Sequence, residues 1–351
     1  MKLSSAVLSL LLAFCSTPVA FAHDMLEDQP SVTRAELKHW HNNNDDPFHL
    51  LDFVLTPACA ATSNVRMYFD GAYRVITSDG IPNHPTGEFP NPGNPNSISE
   101  QNYLFRMLKD PTYASSITSL FLAPFGVAVN GIPFDPGANE FWNRDRNWQY
   151  EPMYNHSLGL DDSNAHVQPN GAYHYHGLPT GLLNRLASSP KPVLIGYAAD
   201  GFPIYAPFGY RDSKNSLSGM TKLRTSYRVK PGDRATGPGG RYDGQFVQDY
   251  EYVANLGDLD ECNGRFGVTT EYPHGIYYYV VTDTFPFIPR KWRGTPDQTF
   301  LRHGHVGGPG GGGPGFGGPG GGGPGFGGPG AGGPGFNPRG GSPSAGPDYN
   351  R

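Results

Sequence analysis

Residues 170–177 read NGAYHYHG, and the alternation of Tyr173, His174, Tyr175 and His176 decides how the rest of the chain is read. In an extended backbone successive side chains point to opposite faces. Both imidazoles of the run therefore share one face and both phenols the other. The strand rise sets the two histidine Cα atoms roughly 6.6 Å apart, near enough to converge on one metal ion or one anionic ligand. Asn170-Gly171 is a hairpin-turn signal, and His166, across that turn, is the nearest third imidazole.

The same strand, turn, strand grammar recurs along the chain. It is found in VRMYFDGAYRVITSDG (65–80), FGVAVNGIPFDPG (125–137), LIGYAADGFPIYAPFGY (194–210) and EYPHGIYYYVVTDTFP (271–286). Aromatic residues make up 13%, charged residues only 16%, and there are 49 Gly and 35 Pro. Charge so dilute, with turns so dense and helical periodicity so rare, excludes a helix bundle. The pattern predicts a mainly β protein, an antiparallel β sandwich or barrel with few short helices, the candidates being 98–107 and 178–187. The Pro/Asn-rich stretch 82–97 must be loop. One echo stands out: PNGAYHYH (169–176) and PHGIYYYV (273–280) share Pro-x-Gly-x-Tyr-x-Tyr, with Tyr278 and Val280 standing where the first copy has His174 and His176.

The ends are different in kind. Residues 1–22, MKLSSAVLSLLLAFCSTPVAFA, have a basic start, an apolar run and an A-x-A close, the pattern of a secretory signal peptide. A secreted or periplasmic location is expected, and no stretch approaches the ~18 apolar residues of a membrane span. Residues 23–49 read as a polar arm. Residues 293–351 read as linker and disordered Gly/Pro-rich tail, carrying three ten-residue repeats with Phe316, Phe326 and Phe336. Beyond the signal two cysteines remain, Cys59 and Cys262. An oxidising compartment favours a bridge between them, the alternative being a buried unpaired thiol. A net charge of -5 makes nucleic acid a poor partner.

Six histidines fall in three H-x-H pairs, His39/His41, His174/His176 and His303/His305. Only the middle pair lies on a predicted strand, where packing can enforce geometry. With His166 it forms a three-imidazole set suited to zinc, copper or manganese; copper or zinc is the cofactor expected. Multicopper oxidase chemistry needs a His-Cys-His element, which Cys262 lacks. A cupin needs a Glu shortly after its H-x-H, where Gly177, Leu178, Pro179 and Thr180 stand instead. Cleavage after Ala22 would also expose His23 as an amino-terminal copper chelate. Asp200 is either a turn residue or a carboxylate presented to the imidazoles. Glu261, in LDECNGRFG (259–267), belongs either to a hydrogen-bonded corner or to an acid/base pair. These two are the candidate catalytic proton carriers.

VNGIPFD (129–135), NGAYHYHG, IGYAADGFPIY (195–205), LDECNGRFG, EYPHGIYYYV and FPFIPR follow one another in an order that resembles the YHYH-domain proteins, a family of secreted and surface proteins. The resemblance covers roughly 50–292 and implies one domain there; it implies no particular activity. In that family the late G-x-Y-x-Y strand often carries His where this chain has Tyr278, and His274 is the nearby substitute. Two functional expectations follow. One is a secreted metal-binding protein built on His166, His174 and His176, with His274 as an additional ligand. The other is a non-catalytic module that contacts an extracellular polymer or cell-surface component, its histidines only hydrogen-bonded to separate partners.

Overall fold

A computed structural model describes residues 63–301, less 121, 155–157 and 187–190. The expectations for the signal segment, His23, the flanking H-x-H pairs, Cys59 and the repeat tail lie outside the described residues. Strands β1 (Val65–Asp70), β2 (Tyr73–Ser78) and β3 (Tyr103–Leu108) form a three-stranded antiparallel sheet. Gly71, at φ +59°, sits in the two-residue turn that joins the first two, as the Asp-Gly signal requires. After the short β4 (Thr118–Ser119) come β5 (Gly126–Ala128), β6 (Pro133–Phe134), β7 (Ala165–Val167) and β8 (Tyr173–Tyr175). Helix α1 (Thr180–Leu186) leads to β9 (Leu194–Ala198) and β10 (Pro203–Tyr205). Two small ribbons follow, β11 (Phe208–Tyr210) with β12 (Met220–Lys222) and β13 (Tyr227–Val229) with β14 (Tyr250–Tyr252). The described chain closes with β15 (Gly264–Gly267), β16 (Ile276–Val280), β17 (Lys291–Trp292), which pairs with β4, and α2 (Gln298–Leu301).

Eight of these strands make one open mixed sheet in the order β15-β16-β10-β9-β5-β6-β8-β7. Five of its pairings are antiparallel, while β6 with β8 and β10 with β16 are parallel. The three-stranded sheet shares a core with it: Ile76, Phe105 and Met107 join Phe125, Val127, Tyr197, Ile204 and Tyr279, all but fully buried. Two layers around one apolar core is the sandwich expectation; closure into a barrel does not occur, since β15 and β7 end the sheet. Helix was expected at two places. α1 forms at one, burying Leu182, Leu183 and Leu186. At 98–107 the expectation was wrong, because Tyr103, Phe105 and Met107 are buried while Leu104 and Arg106 are exposed, a period of two that makes β3 a strand.

The large sheet is built from two copies of one motif. FGVAVNGIPF (125–134) spans β5 and β6, IGYAADGFPI (195–204) spans β9 and β10, and the two agree at Gly126/Gly196, Ala128/Ala198, Gly131/Gly201 and Pro133/Pro203. They meet antiparallel with Val127 opposite Tyr197, so that each copy's central residue faces the other's. A Cβ on Gly126 would lie 2.4 Å from the Tyr197 carbonyl oxygen, and one on Gly196 2.4 Å from that of Val127. Neither side chain fits, which accounts for glycine at both places. Outside each hairpin lies a second one, β7–β8 beyond β6 and β15–β16 beyond β10. These also match, DDSNAHV (161–167) with DECNGRF (260–266) and the Pro-x-Gly-x-Tyr-x-Tyr pair with each other.

Candidate metal centre

The β7–β8 hairpin turns at Gly171, at φ +83°, and its register sets His166 directly opposite His174. His176 follows β8 on the same face, held by a hydrogen bond from its backbone N to the Asn164 carbonyl at 2.7 Å. Asn164 adopts φ +55°, a conformation Asn tolerates, and its side-chain amide donates to the Leu178 carbonyl at 2.8 Å. The three imidazoles therefore stand on one face, as the alternation predicts, with ring centroids 4.7 Å apart in all three pairs. His174 and His176 are buried and His166 is half-buried.

Their Nε2 atoms converge: that of His176 lies 3.0 Å from those of both His174 and His166. Ligands about 2.0–2.1 Å from a zinc ion sit roughly 3.3 Å apart in a tetrahedron, so both contacts of His176 are within a few tenths of an ångström of that spacing, and the ligand atoms of all three rings lie within 4.8 Å of one another. The opposite ring nitrogens fix the tautomers. His174 Nδ1 lies 3.1 Å from the Ala172 carbonyl and His166 Nδ1 2.9 Å from the Leu158 carbonyl. A carbonyl only accepts, so each Nδ1 carries the proton and, in the neutral rings, each Nε2 presents a lone pair. The single proton that His176 Nε2 can carry meets one of those lone pairs and leaves the other facing nitrogen. Backbone carbonyls behind outward-facing lone pairs are the second-sphere arrangement of metal-bound histidine. Among the described residues this trio is the group of His, Cys, Asp and Glu side chains able to hold a metal ion.

On the other face the phenols are anchored in the core. Tyr173 donates to Asp161 at 2.7 Å. Tyr175 is fully buried, donates to His84 Nε2 at 2.6 Å and accepts from Asn130 at 3.0 Å. His84 holds its proton on Nδ1 against the Pro85 carbonyl at 2.9 Å, and burial pushes its pKa down, which keeps the ring neutral and Nε2 an acceptor. Burial pushes both phenols well above the ordinary tyrosine value.

The other expected site residues are not gathered here. Asp200 sits in the β9–β10 turn, accepting from the Tyr279 hydroxyl at 2.5 Å and the Gly294 N–H at 2.8 Å. Burial pushes its carboxyl up to about 6 against the hydrogen bonds that lower it. Glu261 pairs with Lys291 at 2.9 Å, both partly exposed. Next to it Asp260 accepts from the backbone N–H groups of Cys262 and Gly264 and from the Tyr277 hydroxyl, making the region a hydrogen-bonded corner. His274 is exposed in the β15–β16 turn, five strand positions from β8, on the order of 24 Å at the usual strand spacing. Cys262 is buried with no sulfur partner among the described residues, its thiol pushed up to about 12 by desolvation. Sequence reasoning missed His84, Asn130 and Asp161. His84 lies in a loop with no periodicity, Asn130 was visible only as part of an Asn-Gly turn, and Asp161 carried no local signal.

The model of the YHYH protein family matches residues 104–294, a span that contains β7, β8 and all three imidazoles. No curated protein and no solved structure matches the chain.

Proposed function

The chain belongs to the YHYH protein family, and we propose that it is a secreted or periplasmic metal-binding protein whose His166, His174 and His176 hold one copper or zinc ion. The observation that carries this reading is the approach of His176 Nε2 to within 3.0 Å of the Nε2 atoms of both His174 and His166, with the lone pairs of those two fixed inward by backbone carbonyls. Nitrogen lone pairs that face each other at such a distance repel unless a proton or a cation lies between them, and a single ion can accept from all three rings at once. Three borderline nitrogen donors suit Cu or Zn, and a three-ligand set leaves a fourth position for water or a substrate oxygen. An ion held in that way acidifies bound water or polarises a carbonyl.

The duplicated motif supplies an internal control. The second copy repeats the Tyr-to-Asp bond (Tyr277 to Asp260), the left-handed Asn (Asn263, φ +53°) and its carbonyl bonded to the strand that follows (Val280 N to Asn263 O, 3.0 Å). It does so with Arg265, Tyr278 and Val280 where the first copy has imidazoles. The scaffold thus folds without histidine, and the interaction-module expectation, in which the imidazoles serve packing and separate hydrogen bonds, leaves their convergence without a cause.

The test is a titration of the metal-free protein with Zn(II) and Cu(II) against a competing chelator. Wild type binds one equivalent. Single His166→Ala, His174→Ala and His176→Ala variants each lose more than the roughly 10- to 100-fold that removal of an outer-sphere partner costs. Equal affinity in wild type and all three variants would refute the proposal.

A further inference from the structure

Residues of the β13–β14 ribbon and of the β17–β4 pair line a cleft of about 380 Å³, a volume at the small end of the range for ligand pockets. It shares no residue with the imidazole trio. Four of the side chains lining it are aromatic, Tyr227, Tyr250, Tyr252 and Phe285. Tyr250 and Phe285 stack face to face with centroids 3.8 Å apart. Tyr227 meets Phe285 edge-on at 5.4 Å and Tyr252 at 5.6 Å. Rings locked against one another in this way have little freedom left to lose when a flat ligand joins them.

The charged side chains in the cleft have one sign: Arg290 and Lys291 line it, and no aspartate or glutamate does. Arg290 is held by the fully buried Glu151, to which its Nη2 donates at 2.6 Å, and its guanidinium carbon lies 5.1 Å from the centroid of Phe285. That one carboxylate does not use all its donors. Nε has no hydrogen-bond partner among the described residues, and 16% of the side chain stays exposed. Lys291 pairs with Glu261 at 2.9 Å, both partly exposed, and an ion pair in contact with water gives way readily to a competing carboxylate. By contrast, the hydrogen-bonding groups that a sugar would require are already engaged. The Tyr227 hydroxyl donates to the Glu261 carbonyl at 2.8 Å, that of Tyr250 to the Gly244 carbonyl at 3.2 Å, and the Gln149 amide to the Ala138 carbonyl at 2.7 Å. What remains for a ligand is ring surface and two cations. We propose that this cleft binds a small aromatic carboxylate, of the size of a hydroxybenzoate or hydroxycinnamate, with its ring against Tyr250 and Tyr252 and its carboxylate between Arg290 and Lys291.

The inference uses none of the metal ligands and holds whether or not the imidazoles carry an ion. Isothermal titration calorimetry of the metal-free protein at neutral pH tests it, with para-hydroxycinnamate, its uncharged amide and glucuronate as probes. The expected result is one equivalent of para-hydroxycinnamate, with the amide bound at least about 10-fold more weakly for want of a charge-assisted contact. Glucuronate, which has the charge but no flat ring, should also bind more weakly. Lys291→Met and Tyr252→Ala should each weaken para-hydroxycinnamate about 10-fold, one through charge and the other through ring contact, while near-ultraviolet circular dichroism stays native. Arg290 is left in place because removing it would strand a buried carboxyl; if Tyr252→Ala loses its native signal, Lys291→Met decides. The His174→Ala/His176→Ala variant should bind as wild type does. Absence of saturable binding, equal affinity for acid and amide, or undiminished affinity in the folded cleft variants would overturn the proposal. So would tighter binding of glucuronate, which would make the ligand a sugar acid, or loss of binding in the imidazole variant, which would move the acid to the metal centre.

Discussion

Replacing Asp200 by asparagine makes the second β-turn resemble the first, where Asn130 already occupies the equivalent place, and the consequence for stability is a change in pH dependence. Asp200 is 1% exposed and accepts hydrogen bonds from Tyr279, Gly294 and, weakly, Phe202. Burial outweighs them and lifts its carboxyl from 3.8 to about 6. Below 3.8 the folded and unfolded chains both carry the proton. Between 3.8 and about 6 the folded state keeps it while the unfolded state has released it, so raising the pH favours unfolding across that interval. Stability contributed by this group is therefore present below 3.8 and lost by about pH 6. The interval corresponds to roughly 3 kcal/mol at 1.36 kcal/mol per pKa unit. An asparagine cannot ionise, and its amide oxygen can still receive the Tyr279 and Gly294 protons. The expected cost at pH 3.5 is about 1 kcal/mol for the weaker acceptor. At pH 7 the variant should be the more stable protein by about 2 kcal/mol. Equilibrium urea denaturation of both proteins at pH 3.5, 5 and 7, followed by tryptophan fluorescence, reads the difference directly. A difference that stays constant with pH, or one in which wild type gains on the variant as pH rises, would refute the reasoning.

Other perturbations have definite outcomes. Tyr175→Phe removes the hydroxyl between His84 and Asn130 and leaves two buried groups without it, costing about 2–6 kcal/mol by urea denaturation at 1–3 kcal/mol for each group. Asn164→Gly keeps the left-handed backbone but loses the bond to Leu178, whereas Asn164→Ala also strains the φ of +55°; thermal melts should rank wild type, then Gly, then Ala, the last pair differing by about 1 kcal/mol. Glu151, fully buried against Arg290 at 2.6 Å, is pushed up to about 7 by desolvation. By the same sign as Asp200 it destabilises the fold as pH rises from 4.5 to about 7, so a wild-type stability that climbs steadily from pH 5 to 7 would contradict both assignments.

Much of this was legible in the sequence because the informative residues obey short-range rules. The period-two alternation of 173–176 placed imidazoles and phenols on opposite faces, and the Asn-Gly turn brought His166 across from His174. Dipeptide turn signals also marked the β1–β2, β5–β6 and β9–β10 hairpins. YLFRML (103–108) misled because a nearly continuous apolar run carries no visible period, and only burial shows Leu104 pointing out. The role of His84 depends on a contact across 91 positions with Tyr175, which no local pattern encodes. Asp200 showed the reverse problem, since a turn aspartate and a catalytic one look alike until Tyr279 and Gly294 are found beside it. The Pro-x-Gly-x-Tyr-x-Tyr echo was visible as a resemblance between two strands; that it belongs to a duplication of half the sheet required the pairing of Val127 with Tyr197 at its centre.

The central claim is that the three convergent imidazoles hold a metal ion. Its most direct test is the metal content, by mass spectrometry, of protein recovered from the periplasm without an affinity tag, beside the His174→Ala/His176→Ala variant. About one equivalent of copper or zinc in the wild type, absent from a variant that remains folded, is the predicted result. No metal in the wild type, even after reloading with copper and with zinc, would contradict it.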